Sequence, residues 1–230
     1  MKYNSNNDHQ QLNINYNPFK NLRDEKPNLI CSETDFLNEK EMKSLLGHIN
    51  ENSDHIIDIR DKIMISIALT TALRKSDILK IKIQDIKQIG EFYIINIPVV
   101  QKTKNHHSVK LQYKIKLLID KYLAATNRTY ENDGTKYLFL GKKNIDGTTI
   151  MNKNSFNYIL KKRLKNAHLR TNIKVHGLRH SAITDLLQKE NVTLDEVRQI
   201  ANHKNVNTTL RYSHNKVPLK NNPIDKIDIL

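Results

Sequence analysis

A chain of 230 residues is long enough for one or two domains with a core of their own. Lys and Arg number 38 against 24 Asp and Glu, and the resulting formal net charge of +14 draws the chain towards a polyanion. A single cysteine, Cys31, excludes an internal disulfide and a cysteine-based zinc site and suits a reducing compartment, so the expected location is the cytoplasm, with nucleoid association in a bacterium. The opening MKYNSNNDHQQLNINYN has no apolar run that would serve as a secretory signal, and no stretch of about 18 apolar residues predicts a membrane span.

Residues 1–33 are polar and Asn-rich, broken by Pro18 and Pro27, and read as an arm or linker with scattered anchors at Tyr16, Phe19, Leu22 and Leu29. The main domain is expected over 34–214. Asn38-Glu39-Lys40-Glu41 has the form of a helix start, followed by Met42, Leu45, Leu46 and Ile49 on one face. A second helix is predicted from Asp54 to Leu73, with Ile59, Ile63, Ile67 and Thr70 as its buried stripe. Its nearly all-apolar Met64–Leu69 run predicts a central position. Arg74 follows at its C-terminal end, and Ser76-Asp77 can cap a third helix that turns Ile78, Leu79 and Ile81 inward.

Phe92 to Val100 and Val109 to Leu111 read as two strands joined by the polar turn Lys102 to Ser108, on which His106 and His107 read as solvated residues. Tyr113 to Ala125 is helical, and Tyr137 to Leu140 is a short apolar piece. Met151 to His168 is a basic amphipathic helix with Phe156, Ile159, Leu160 and Leu164 inside. Its Lys161, Lys162, Arg163 and Lys165 read as outside, either as a solvated face or as a polyanion contact. His176 to Gln188 forms a helix that buries Leu178, Ala182, Leu186 and Leu187. Thr193-x-x-Glu196 is a capping box opening the next, with Leu194, Val197 and Ile200 inside. Val206 to Arg211 is a last short helix that carries Tyr212 near its end. The tail, 215–230, holds Pro218 and Pro223, and its Ile224, Ile227, Ile229 and Leu230 want a partner surface. The predicted fold class is mostly α with a small antiparallel β-hairpin sheet.

Chemistry-bearing residues concentrate in Val175–His214. His176 and Arg179 lie three residues apart and share a helix face; His203 follows on a later segment, and Tyr212 closes the set. Arg suits planar recognition of phosphate, His moves protons near neutral pH, and Tyr can be a covalent nucleophile. With Arg74 upstream, these residues can hold one phosphodiester for attack by the tyrosine.

On these residues the sequence resembles the tyrosine recombinase, or phage integrase, family, in particular its short Xer-like or invertase-like members. The matching segments are Ala72-Leu73-Arg74-Lys75-Ser76-Asp77, Gln101-Lys102-Thr103, His176-Gly177-Leu178-Arg179-His180, Ala201-Asn202-His203 and Thr208-Thr209-x-x-Tyr212, over Asp35 to His214. The resemblance implies a site-specific recombinase that cuts and rejoins DNA through a 3′-phosphotyrosine, with neither metal nor ATP, since the bond energy is kept in that link. It further implies that Arg74 and Arg179 bind the phosphate and that Asp77 supports Arg74. His176 would take the Tyr212 proton, His203 would donate to a nonbridging oxygen, and Lys102 would protonate the leaving 5′-oxygen. Lys104, two residues on and on the same strand face, remains an alternative to Lys102. The implied partner is double-stranded DNA, contacted by Lys104, Lys161, Lys162, Arg163 and Lys165. The implied assembly is a homo-oligomer, four protomers on two DNA sites, with the tail docking in trans.

Departures from the family pattern are local. Ala201-Asn202 stands where Leu-Gly is usual; if that Gly is left-handed, Asn is the best replacement. Asp77 replaces the commoner Glu. Members usually carry a helical core-binding domain ahead of the catalytic one, whereas here the arm is short. Other readings remain open: a relaxing topoisomerase or telomere resolvase on the same fold, or a DNA-binding regulator with a relic site. His176-x-x-x-His180 also has the spacing of a zinc helix with His203 as third ligand, but no Glu follows His176 and Arg179 would repel a dication.

Overall fold

The computed structural model describes residues 36–50, 55–97, 107–210 and 212, all within the compact unit Cys31–Leu230. The arm over 1–33, the hairpin turn with Lys102 and Lys104, and the tail after 214 lie outside the described residues. Among the described residues no helix is long and apolar enough to cross a membrane.

The element order is α1 (Glu39–Gly47), α2 (Ile56–Thr71), α3 (Lys75–Leu79), β1 (Ile86–Ile89), β2 (Phe92–Ile97), β3 (His107–Leu111), α4 (Tyr113–Ala125), α5 (Lys153–Asn166), α6 (Val175–Leu187), α7 (Leu194–Ile200) and α8 (Val206–Leu210). This is a mostly helical fold with one three-stranded antiparallel sheet, in the order β1-β2-β3. Ile95 in the middle strand pairs with Ile86 on one side and Val109 on the other, so three apolar residues cross the sheet on one face. The short edge strand β1 is absent from the sequence reading. Only its first residue is buried, so it carries no alternation to betray it; its pairing to β2 defines it.

Helix α2 is the axis of the domain. It packs most extensively against α4 and α6 and also touches α1, α3, α5 and β3. Ile59, Ile63, Met64, Ile65, Ile67 and Ala68 are all 0–1% exposed, as a helix surrounded on every side requires. Both predicted capping boxes form: Asn38 with Glu41 at α1, and Thr193 with Glu196 at α7. A second, smaller apolar cluster of Ala72, Ala182, Ile183, Val197, Ala201 and Tyr212 gathers the end of α2, the body of α6 and the segments that follow it. Ile200, expected inside, is on the surface at 36% exposure, and Val197 alone is the buried apolar residue of α7.

Arg163 corrects the reading of the basic helix. Lys161, Lys162 and Lys165 are exposed, but Arg163 is 7% exposed and points inward. Its Nε and Nη2 donate to Asp61 Oδ2 at 2.9 and 2.7 Å, and Nη2 also reaches Asp58 Oδ1 at 2.5 Å. Arg60 binds the other oxygen of Asp61 at 2.7 Å and the Leu140 carbonyl at 3.0 Å. A carboxylate as buried as Asp61 has to be paired, and this network ties α5 to α2. Arg163 therefore belongs to the scaffold and not to a DNA-facing surface. Arg163→Ala should lower unfolding free energy by about 3 kcal/mol, because it leaves one oxygen of the buried Asp61 carboxylate without its partner and Arg60 alone to balance the charge. Lys161→Ala and Lys162→Ala should each stay within about 0.5 kcal/mol of the parent. Urea unfolding of the three variants checks this; an Arg163 variant as stable as the lysine variants would return that side chain to the surface.

Candidate active site

Four helix ends meet at one place. The last turn of α2 breaks at Ala72, which takes a left-handed φ of 52° without the help of glycine, and the chain turns out to Arg74 at the N-cap of α3. At the end of α7, Asn202 takes a left-handed φ of 50° and delivers His203. The conformation expected of the usual glycine is thus present, and Asn meets it with its short polar side chain. Helix α6 supplies His176 and Arg179 one turn apart, and α8 leads directly into Tyr212.

Arg179 joins these ends. It is 4% exposed, and its terminal nitrogens donate to the backbone carbonyls of Ala72 and, at 2.7 Å, Ala201. Both carbonyls lie at helix C-termini, where acceptors lack partners within their own helices and carry partial negative charge. Two of the five guanidinium hydrogens are used this way, which leaves others for a ligand. Arg74 is more exposed and approaches the Asn202 carbonyl at 3.4 Å. Asp77, expected to hold Arg74, instead accepts from the Ser76 hydroxyl at 3.2 Å; no ion pair joins it to Arg74 among the described residues.

His203 is 6% exposed and its Nδ1 lies 2.9 Å from the hydroxyl of Thr209, itself fully buried. The ring of Tyr212 lies nearly parallel to that of His203, with centroids 5.9 Å apart, and meets the ring of His180 edge-on at 4.7 Å. Tyr212 is 8% exposed and packs within the small cluster. His180 packs between Tyr212 and Phe36; among the described residues no three His, Cys, Asp or Glu side chains group together.

The electrostatics share one cause. Burial and the neighbouring Arg74 bring Arg179 down to about 10. Burial, then Arg179, Arg74 and His176, push His203 down to about 4. His176, at the rim of the site, is lowered by lost hydration and by the two arginines. Arg74 and Arg179 lower the histidines around them, and the opposing charges are Asp77, acting on Arg179 and His107, and Tyr212, acting on Arg179. Such a site lacks negative charge, and an anion in it would raise all these groups together.

One residue departs from its expected place. His107, expected on a solvated turn, is the first residue of β3, paired with Ile97, and is half-buried. Its Nε2 is enclosed without a hydrogen-bond partner, and burial lowers its pKa, with Asp77 opposing and Arg179 and Arg74 adding to the effect. The sequence does hold the signal: His107 alternates with buried Val109 and Leu111 and so shares their face. Lys102 and Lys104 fall outside the described residues.

Residues 35–217 match the phage integrase family. A tyrosine recombinase of Thermosipho africanus is 29% identical over 201 residues, which is 86% of this chain and 62% of that protein. A tyrosine recombinase XerC of Caldanaerobacter subterraneus is 30% identical over 204 residues, 87% of this chain and 52% of that protein. The chain thus spans about half to three-fifths of the length of these curated relatives. Among solved structures, the XerH site-specific recombinase bound to its difH substrate before cleavage superposes with a TM-score of 0.66 at 26% identity, over 78% of this chain and 50% of that one. XerA recombinase shares the fold with a TM-score of 0.63 at 22% identity, over 78% of this chain and 60% of that one.

The depressed histidine has a consequence for stability. Unfolded, His203 takes a proton near 6.5; folded, only near 4. Between these values the unfolded chain binds more protons, so acid favours unfolding. The contribution is complete above pH 6.5 and is lost as pH falls towards 4. His203→Gln should remove about 2 kcal/mol of the stability lost between pH 7.5 and pH 5. Urea unfolding at the two pH values tests it, and an unchanged pH dependence in the variant would remove His203 from the positive field.

Proposed function

The chain belongs to the phage integrase family, and from that premise we propose that it cleaves and rejoins double-stranded DNA at specific sites through a 3′-phosphotyrosine on Tyr212. The single observation that carries this reading is the convergence of Arg74, Arg179, His176 and His203 beside Tyr212, in a site short of negative charge. A DNA phosphodiester supplies that charge.

In the reaction the Tyr212 oxygen attacks phosphorus, the bond to the 5′-oxygen breaks, and the phosphate is left on the tyrosine. The phenol has a pKa of about 10 and needs a proton acceptor. His176, its proton affinity lowered by burial and the arginines, is neutral near pH 7 and takes that role. Arg74 and Arg179 neutralise the charge that builds on the nonbridging oxygens, to which His203 donates a hydrogen bond. Lys102, or Lys104 two residues on, protonates the 5′-oxygen. A 5′-hydroxyl attacking the phosphotyrosine reverses every step and seals the strand, so neither ATP nor metal enters. The reading as a topoisomerase, telomere resolvase or relic-site regulator draws no support from the recombinases this chain resembles.

Lys161, Lys162 and Lys165 form the exposed face of α5 and are assigned to the DNA backbone. Four protomers on two duplexes complete the reaction, with the segment after 214 docking on a neighbour. Catalytic Tyr212→Phe should bind DNA yet form no covalent complex with a nicked duplex on denaturing gels, and the parent should form it in excess EDTA. A protease-sensitive adduct from the Phe variant would move the nucleophile elsewhere. Replacing Lys161, Lys162 and Lys165 by Ala should lower the log–log salt slope of binding by about 0.9 for each phosphate that is no longer neutralised. An unchanged slope would assign that face to solvent.

A further inference from the structure

We propose that Thr209 is a positioning residue of this site: its hydroxyl fixes His203 in the tautomer that presents Nε2–H, and its carbonyl holds the backbone of Tyr212 in register with that ring. The inference rests on the reading of His203 and Tyr212 as partners in one reaction.

Thr209 Oγ1 lies 2.9 Å from His203 Nδ1, and Thr209 is 0% exposed, so water does not compete for its hydroxyl. A helical threonine usually sends its hydroxyl proton back to the carbonyl four residues earlier. Thr70 and Thr71 in α2 do so, at 2.8 and 2.7 Å. Thr209 makes no such bond, and Nδ1 of His203 is the one partner of its hydroxyl among the described residues. A buried hydroxyl proton goes to an acceptor, so it goes to Nδ1. A neutral imidazole has one N–H, which then sits on Nε2.

The surroundings keep the ring neutral. Arg179 and His176 on α6 and Arg74 at the start of α3 all add positive charge around it, and among the described residues none of them is hydrogen-bonded to the ring. Arg198 of α7 approaches only the His203 carbonyl, at 3.4 Å. On its other side Thr209 accepts the Tyr212 backbone N–H at 3.0 Å, and the Tyr212 ring lies within 15° of parallel to the imidazole. One residue therefore holds both a donor to the phosphate and the nucleophile. Its location, six residues after His203 and three before Tyr212, lets a single short helix do this.

The test begins with the unliganded protein. Nitrogen NMR of histidine-labelled full-length chain should show His203 protonated on Nε2 and bare on Nδ1. Thr209→Val keeps the shape and removes the hydroxyl; it should mix the two tautomers, and Thr209→Ser should restore one. With a nicked duplex, single-turnover formation of the covalent adduct should fall about a hundredfold in Thr209→Val at unchanged DNA affinity, as for a lost oxyanion donor. The Ser variant should recover most of the rate. A proton on Nδ1 in the parent protein overturns the proposal, whether or not the Val variant folds. So does a folded Val variant with the parent's tautomer and rate. If the parent forms no adduct at all, the strand-transfer reading fails, and the nitrogen spectra still decide the Thr209–His203 bond.

Discussion

A buried guanidinium bonded to the open ends of two helices is the interaction on which this molecule depends. Arg179 leaves water almost completely, at a cost that an isolated charge could not bear. The carbonyls of Ala72 and Ala201 offset that cost with hydrogen bonds and with the negative ends of their helix dipoles. The geometry then follows. The end of α2 and the end of α7 must lie within reach of one side chain on α6, and both must turn sharply to free their carbonyls. Both turns use a left-handed residue, Ala72 and Asn202, neither of them glycine. Strain accepted at two backbone positions is held by the bond network that needs them.

Because carbonyls rather than carboxylates hold Arg179, its charge is not cancelled. Burial first, and then that surplus together with Arg74, lowers the proton affinity of His107, His176 and His203. Neutral imidazoles can accept a proton or donate one hydrogen bond in a chosen direction, which is what transesterification at phosphorus asks of them. An ion pair to a carboxylate would have held the arginine equally well and removed the field. The choice of backbone acceptors thus links the stability of the helix junction to the chemistry proposed for it.

The opposite choice is made at the other end of α2. Arg163 and Arg60 are neutralised by Asp58 and Asp61, so the charge there is spent within the protein. Two buried arginines on neighbouring helices, Arg163 on α5 and Arg179 on α6, differ in partner and therefore in role. One locks α5 to the axis of the domain, and the other leaves donors for a ligand.

Local rules determined much from the sequence alone. Capping boxes, the all-apolar run of α2, the order of Arg74, His176, Arg179, His203 and Tyr212, and the left-handed turn at Asn202 rest on contacts within a few residues or on a recognisable pattern of spacing. Local rules fail where burial outranks residue type. Arg163 sits three and four residues beyond Leu160 and Ile159, on the core stripe of α5, and His107 alternates with buried Val109. Polarity alone puts both on the surface. The tertiary structure decided their places, since a charge on a buried face is stable only beside partners such as Asp61, 102 residues away in the chain. It also decided the lowered proton affinity of His107, His176 and His203 and the bond between Thr209 and His203. Those depend on desolvation and on charges that folding brings together from separate helices, and no spacing along the chain encodes their distance in space.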